Sequence, residues 1–192
     1  MTVSILHTRD RRIANAAAFT AVLDRADAVW FGGGRQWRIA DAYLGTRTEA
    51  ALRGVFARGG VIGGTSAGAS MLASYLVRGA PEGNWIVSAA GHEQGFGLLA
   101  GVAVDQHVDR YHREDDLDPL LRSHTELLGI GLDEATGIVV TGATATVVGR
   151  GRVLVHDGRT HDGRPYAILR DGDQFSLAPR GTLTRVKAGT AD

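Results

Sequence analysis

The chain has 192 residues, 44% hydrophobic and 22% charged, and its 21 basic and 21 acidic side chains give a formal net charge of zero. That length suits one domain with a real core, and the balanced charge argues against a protein that grips nucleic acid electrostatically. Cysteine is absent, which excludes disulfide frameworks, thiolate metal sites and cysteine nucleophiles. No apolar run approaches membrane-spanning length and no charged-then-apolar leader opens the chain, so the expectation is no membrane partner and a cytoplasmic location.

In chain order, Val3 to Leu6 predicts a short strand, and Ile13 to Leu23 has helical spacing with Ile13, Ala16, Ala17 and Leu23 on one side. Ala28-Val29-Trp30-Phe31 is an apolar run too short for a helix and bounded by glycine, hence a buried strand. It ends in Gly32-Gly33-Gly34-Arg35-Gln36, followed by a helical segment from Trp37 to Leu44. Thr46 and Glu49 have capping-box spacing ahead of a helix with Ala51, Leu52, Val55 and Phe56 on its apolar face, stopped at Gly59-Gly60. Val61-Ile62-Gly63 predicts a second strand, and Ala69 to Leu76 a further helix. Strand, helix, strand, helix points to a parallel sheet with helices on its faces.

Between that second strand and its helix lies Gly64-Thr65-Ser66-Ala67-Gly68, which fits G-x-S-x-G. In this nucleophile elbow a strained strand-to-helix turn exposes a serine hydroxyl, and the glycines avoid collisions with the flanking elements. The amide of Ala67 then points where an oxyanion would form. A chain with 27 glycines meets this pattern by chance often enough that its strand–turn–helix context is what favours a nucleophile. Gly32-Gly34 reads either as a plain flexible turn or as a second set of free amides on the same sheet edge; a phosphate loop is disfavoured, since neither G-x-G-x-x-G nor a Walker lysine is present.

Gly79 to Gly101 reads as loop with short strands around Trp85-Ile86-Val87. Val102-Ala103-Val104 is a third buried strand ending in Asp105-Gln106-His107, where polar side chains at a strand's carboxyl end suit catalysis. A structural role for His107 stays open, as it does for His92, His112 and His124; the spacing of His107, His112 and the following acids matches no metal-ligand pattern. Asp118-Pro119 opens a helix to about Leu127, and Leu128 to Leu132 is an apolar run ending in Asp133-Glu134. Ile138–Val140, Thr144–Val148 and Val153–Val155 then predict an antiparallel meander, with further strands at Tyr166–Leu169 and Phe175–Leu177. The expectation is thus an α/β fold, a mostly parallel sheet with flanking helices and a C-terminal antiparallel β extension. Residues 1–183 form a single domain in this reading and residues 184–192 a frayed tail.

Serine, histidine and acid occur here in that chain order, whereas α/β-hydrolases with this elbow run serine, acid, histidine. An ordinary esterase is disfavoured, unless an acid between Ser66 and His107 pairs with a later histidine such as His156. Phe31-Gly32-Gly33-Gly34-Arg35-Gln36, Gly64 to Ala69, Asp105-Gln106-His107 and Gly129 to Glu134 together strongly resemble the cyanophycinase and dipeptidase E family of serine peptidases. The resemblance covers the chain to about Leu177. It implies a fold similar to class I glutamine amidotransferases, which is flavodoxin-like, and a small peptide as substrate with no cofactor or metal. It further implies Ser66 as nucleophile, His107 as base and Glu134 as orienting acid, with an oxyanion hole from the amides of Gly34 and Ala67. Gln36, Asp105, Gln106 and Arg113 would line the substrate pocket. The chain departs from the family's usual pattern at Arg35, where aspartate is usual, and at Tyr111 and Asp116, where arginine is usual. Family members also carry a strand–helix portion ahead of Val3, so the expectation is a truncated front or a sheet completed by dimerisation. The function so implied is hydrolysis of an aspartyl or β-aspartyl peptide; the alternatives are an inert binding or scaffold domain and a small-ester hydrolase.

Overall fold

The computed structural model describes residues 2–177 and the backbone of 185–186. The chain divides into two compact units, Met1–Leu99 and Ala100–Asp192.

In the first unit, β1 (Ala28–Phe31) and β2 (Val61–Gly64) pair in parallel, Ala28 opposite Val61 through Phe31 opposite Gly64. The helix α4 (Arg47–Ala57) between them buries Leu52 and Val55, which join Leu23, Ala40, Met71, Leu76 and Phe96 in one core. The Phe31 and Phe96 rings stand 5.2 Å apart within the same packed region. The α4 cap is a displaced form of the expected box. Glu49 accepts from the amide of Gly45 at 2.7 Å, and the Thr46 hydroxyl donates to the Tyr43 carbonyl at 2.7 Å.

Several local expectations are corrected here. Val3–Leu6 forms no strand: it has no ladder partner among the described residues, and Val3 and Ile5 are exposed. The single helix over 13–23 is broken into α1 (Arg11–Ala14), α2 (Ala17–Thr20) and a 3-10 turn (Ala21–Arg25), because Ala16 is extended at φ −74, ψ 132. Asn15, next to the break, accepts from the Arg47 amide at 2.8 Å, so a contact distant in sequence outweighs helical spacing. The helix α3 (Gln36–Tyr43) agrees with expectation, while α5 (Ala67–Leu72) stops early and the chain extends as β3 (Ala73–Tyr75). No strand forms at 85–87. That segment is tied to the fully buried Arg78, whose amide donates to the Val87 carbonyl at 2.8 Å and whose Nη1 donates to the preceding Asn84 carbonyl at 2.8 Å.

In the second unit, β4 (Leu99–Gln106) pairs in parallel with β5 (Leu128–Leu132), and β5 pairs antiparallel with β8 (Val153–His156), which pairs antiparallel with β9 (Ala167–Leu169). The glycine spacing of β5 has a steric cause. A Cβ at Gly129 would stand 2.5 Å from Leu121 Cδ1, so glycine lets the helix α7 (Leu117–Ser123) close on the strand. The expected meander is split between two sheets. β6 (Thr136–Thr141) and β7 (Thr144–Gly149) form a hairpin extended by β10 (Gln174–Ser176) and β11 (Arg185–Val186), while β8 joins β5. Burial explains the split: all of β8 is buried, whereas β6 keeps exposed positions. Residues 185–186, read from sequence as tail, thus pair with β10; residues 187–192 lie outside the described residues. The architecture is α/β, with parallel strand pairs, flanking helices and an antiparallel sheet towards the C-terminus.

Candidate active site

The first unit carries the serine. Because β1 and β2 are parallel and in register, their carboxyl ends release the chain side by side. Gly32–Gly34 follows one strand and the Ser66 turn follows the other; a Cβ added at Gly33 would lie 3.3 Å from Ser66 Cβ. Ser66 adopts φ 54, ψ −120, a conformation that costs a non-glycine residue on the order of 1–3 kcal/mol. Its neighbours enforce it. A Cβ on Gly64 would meet the Gly68 carbonyl carbon at 2.5 Å, and one on Gly68 would meet the Phe31 carbonyl oxygen at 2.3 Å. The Thr65 amide donates to Phe31 O at 3.0 Å, tying the turn to β1. Ala67 is the first residue of α5, so its N–H has no acceptor within the helix. Gly34 sits at φ 141, a conformation that L side chains rarely adopt, on an exposed turn.

Gln36, the first residue of α3, is buried. Arg35 turns its guanidinium onto the loop that follows β3, donating to the Ala80 carbonyl at 2.6 Å and that of Pro81 at 3.4 Å.

The second unit carries the histidine and the acids. β4 ends in Asp105 and Gln106, both buried, and His107 turns the chain in a left-handed conformation at φ 60, ψ 35 into α6 (Val108–Tyr111). His107 Nδ1 lies 2.6 Å from Glu134 Oε1, with the two side chains 31% and 44% exposed. A carboxylate can only accept, so this contact places the proton of a neutral imidazole on Nδ1 and leaves Nε2 as the basic atom. Of the two neighbouring acids it is Glu134, as the resemblance implied, that faces the ring. Asp133 points elsewhere: its Oδ2 accepts from Arg152 Nε at 2.6 Å, and Arg152 Nη2 reaches Glu114 Oε1 at 3.1 Å. The Asp133 hydrogen bond, aided by that of Glu114, raises the Arg152 pKa above its ordinary value, against the opposing effect of burial.

Tyr111 meets the His107 ring edge-on with centroids 6.0 Å apart, and the Arg113 guanidinium lies 4.4 Å over the Tyr111 ring. Arg113 is buried and its Nη1 donates to the Gln106 carbonyl at 3.3 Å. Asp105 Oδ1 accepts from the Gln106 amide at 2.9 Å. The Gln106 side-chain oxygen is buried without a hydrogen-bond partner among the described residues. The second unit therefore brings Asp105, Gln106, His107, Arg113 and Glu134 to the adjoining carboxyl ends of β4 and β5, and the first brings Gly34, Gln36, Ser66 and Ala67 to those of β1 and β2. Sequence reasoning missed Asp109 and Arg152. Asp109 Oδ1 accepts from the Glu134 amide at 2.9 Å, and the signal for it was its place two residues beyond His107. Among the described residues no three of His, Asp and Glu are placed to hold a metal ion, and no helix is long and apolar enough to cross a membrane.

The first unit thus carries a strained elbow serine and the second a histidine–carboxylate pair, each by itself a feature of serine-type hydrolases. The comparisons narrow that class. The family model described as peptidase family S51 matches residues 1–148, and the chain belongs to that family of serine-type peptidases. A cyanophycinase of Trichormus variabilis is 30% identical over 207 residues, covering 96% of this chain and 68% of its own length. One from Synechococcus elongatus is 31% identical over 198 residues, 91% of this chain and 60% of that protein. The chain thus spans about two thirds of the length of these relatives. A crystal structure of a peptidase E-type protein from Listeria monocytogenes shares the fold, with a TM-score of 0.55 at 13% identity over 72% of this chain and 68% of that one.

Proposed function

We propose that this peptidase cleaves an amide bond of an aspartyl or β-aspartyl peptide through an acyl-enzyme on Ser66. Ser66 Oγ attacks the carbonyl carbon while His107 Nε2 takes its proton, and Glu134 orients and stabilises the imidazolium. The N–H groups of Gly34 and Ala67 donate to the developing oxyanion. Collapse breaks the C–N bond, and the amine leaves with the proton carried by His107. Water, deprotonated by the same imidazole, then attacks the ester; the acid product departs and Ser66 regains its proton. Gln36, Asp105, Gln106 and Arg113 form the substrate pocket, in which the Arg113 guanidinium supplies the positive charge that an aspartyl carboxylate calls for.

The 2.6 Å contact between His107 Nδ1 and Glu134 carries the reading, because it leaves the other ring nitrogen as a base. The substrate class rests on the likeness to cyanophycinases. A panel of α- and β-aspartyl dipeptides tests it alongside a fluorophosphonate probe. We expect cleavage of at least one aspartyl peptide and covalent labelling at Ser66, both abolished in Ser66→Ala without loss of circular dichroism. Undiminished turnover in that variant would remove Ser66 from the mechanism; cleavage confined to non-aspartyl peptides would overturn the substrate class.

A further inference from the structure

Glu134 has a long, rotatable side chain, and its contact with His107 is partly open to solvent at 44% and 31% exposure. A hydrogen bond between two such groups is weak unless their backbones are already fixed. On the histidine side the fixing is visible. His107 is held left-handed at φ 60, and its carbonyl accepts from the Tyr111 amide at 3.2 Å. On the acid side Ala135, at φ 52, bends the chain just after Glu134, and Asp133 is clamped by Arg152. The backbone of Glu134 is held at both polar groups: its carbonyl accepts from the Thr136 hydroxyl at 3.1 Å, and its N–H donates to Asp109 Oδ1 at 2.9 Å, the one of the two that ties it to the His107 turn.

We propose that Asp109 is a positioning residue for the His107–Glu134 pair. Its carboxylate grips Glu134 by the backbone while His107, two residues earlier on the same turn, grips it by the side chain. The two contacts close a ring, so that a shift of Glu134 relative to α6 has to break both at once. The Glu114–Arg152–Asp133 bridge joins the same two chain segments a second time, farther from the imidazole. Asp109 itself is exposed and lies outside the core, so its role is local orientation and not global stability. The proposal rests on the roles of His107 and Glu134 given above.

The test uses Asp109→Ala, Asp109→Ser and Asp109→Asn in the full chain. Asparagine keeps an oxygen acceptor at the same reach; alanine and serine do not. The first readout is the downfield proton resonance of His107 Nδ1–H, assigned by its loss in Glu134→Gln, and it requires no turnover. We expect it in the native protein and in Asp109→Asn, and lost or broadened in the alanine and serine variants. The second readout is fluorophosphonate labelling and peptide turnover. Alanine should slow labelling and lower kcat about tenfold with KM and thermal midpoint unchanged, and asparagine should restore both to within about twofold. An unchanged resonance and labelling rate in alanine and serine, or asparagine as impaired as alanine, overturns the proposal, as does absence of the resonance in the native protein. If alanine fails to fold, serine against asparagine reads the same comparison, and failure of both overturns the claim that Asp109 is dispensable for stability. Lack of labelling in the native protein would count against Ser66, while the resonance still decides Asp109.

Discussion

The two units hold their functional groups by different means. Ser66 is set by the backbone: glycines at 64 and 68 admit contacts that any Cβ would close, at 2.5 and 2.3 Å, and the serine between them sits at φ 54, ψ −120. His107 and Glu134 are set by side chains, through a 2.6 Å contact between them, an amide held by Asp109 and a salt-bridged Asp133 next door. A backbone lock is rigid and fails all at once when a methyl group enters it. A side-chain frame is adjustable and fails by degrees, one hydrogen bond at a time.

The sharpest way to break the comparison is Gly68→Ala. The added methyl would stand 2.3 Å from the Phe31 carbonyl oxygen, and overpacking against a backbone that cannot yield should cost roughly 3 kcal/mol. Denaturant unfolding measures this, and a loss below about 1 kcal/mol would mean that the elbow can relax. In the other unit Glu134→Gln keeps length and volume but removes the charge that pairs with the imidazole. Turnover of an aspartyl peptide should fall about a hundredfold, near 2.7 kcal/mol of barrier, with stability almost untouched. Equal activity would detach Glu134 from the chemistry.

Arg152→Met tests the frame at one remove. Asp133 is buried and would lose its guanidinium partner, keeping only the residue-152 amide that donates to its Oδ2 at 2.9 Å, while the Arg152 side chain is 27% exposed; removing the charge from such a pair should destabilise the fold by about 2 kcal/mol, less than for a fully buried pair. Asp133→Asn in the same background should recover part of that loss, and no recovery would assign the effect to lost packing of the arginine stem. The smallest expected effect is at Asp10, outside both sites. Hydrogen bonds from Arg12 lower its pKa below the ordinary carboxylate value of 3.8. A lowered folded-state pKa stabilises the protein above the unfolded value, and that contribution disappears as pH falls through the folded one. Asp10→Asn should therefore lower the thermal midpoint slightly at pH 7 and leave it unchanged at strongly acidic pH, where both states are protonated. A deficit that persists in acid would point to the helix cap instead of the charge.

Much of this was legible in the chain, for reasons tied to particular residues. Gly64, Gly68 and the short apolar runs at 28–31 and 61–64 give the parallel pair and the elbow, because their constraints come from neighbours in sequence. Leu128-Gly-Ile-Gly-Leu132 reads correctly as a strand for the same reason. The expected burial of 28–31 is corrected: β1 alternates exposed and half-buried positions, with Trp30 70% exposed. The broken helix at Ala16 was not legible, since Asn15 is engaged by the Arg47 amide, 32 residues away. Nor was the departure of β8 from the meander: Val153–His156 looks like the runs before it, and only its complete burial against β5 separates it from them.

The sequence by itself determined the family and the elbow motif and, through the family resemblance, pointed to Ser66, His107 and Glu134 as the expected triad. Tertiary structure decided the 2.6 Å contact of Glu134 with the imidazole, that Arg152 clamps Asp133, and that Asp109 holds the Glu134 amide. The division has one physical cause. Steric limits on φ and ψ act between atoms a few bonds apart and so leave their mark in consecutive letters. A hydrogen-bonding side chain selects its partner by distance through space, which consecutive letters do not record.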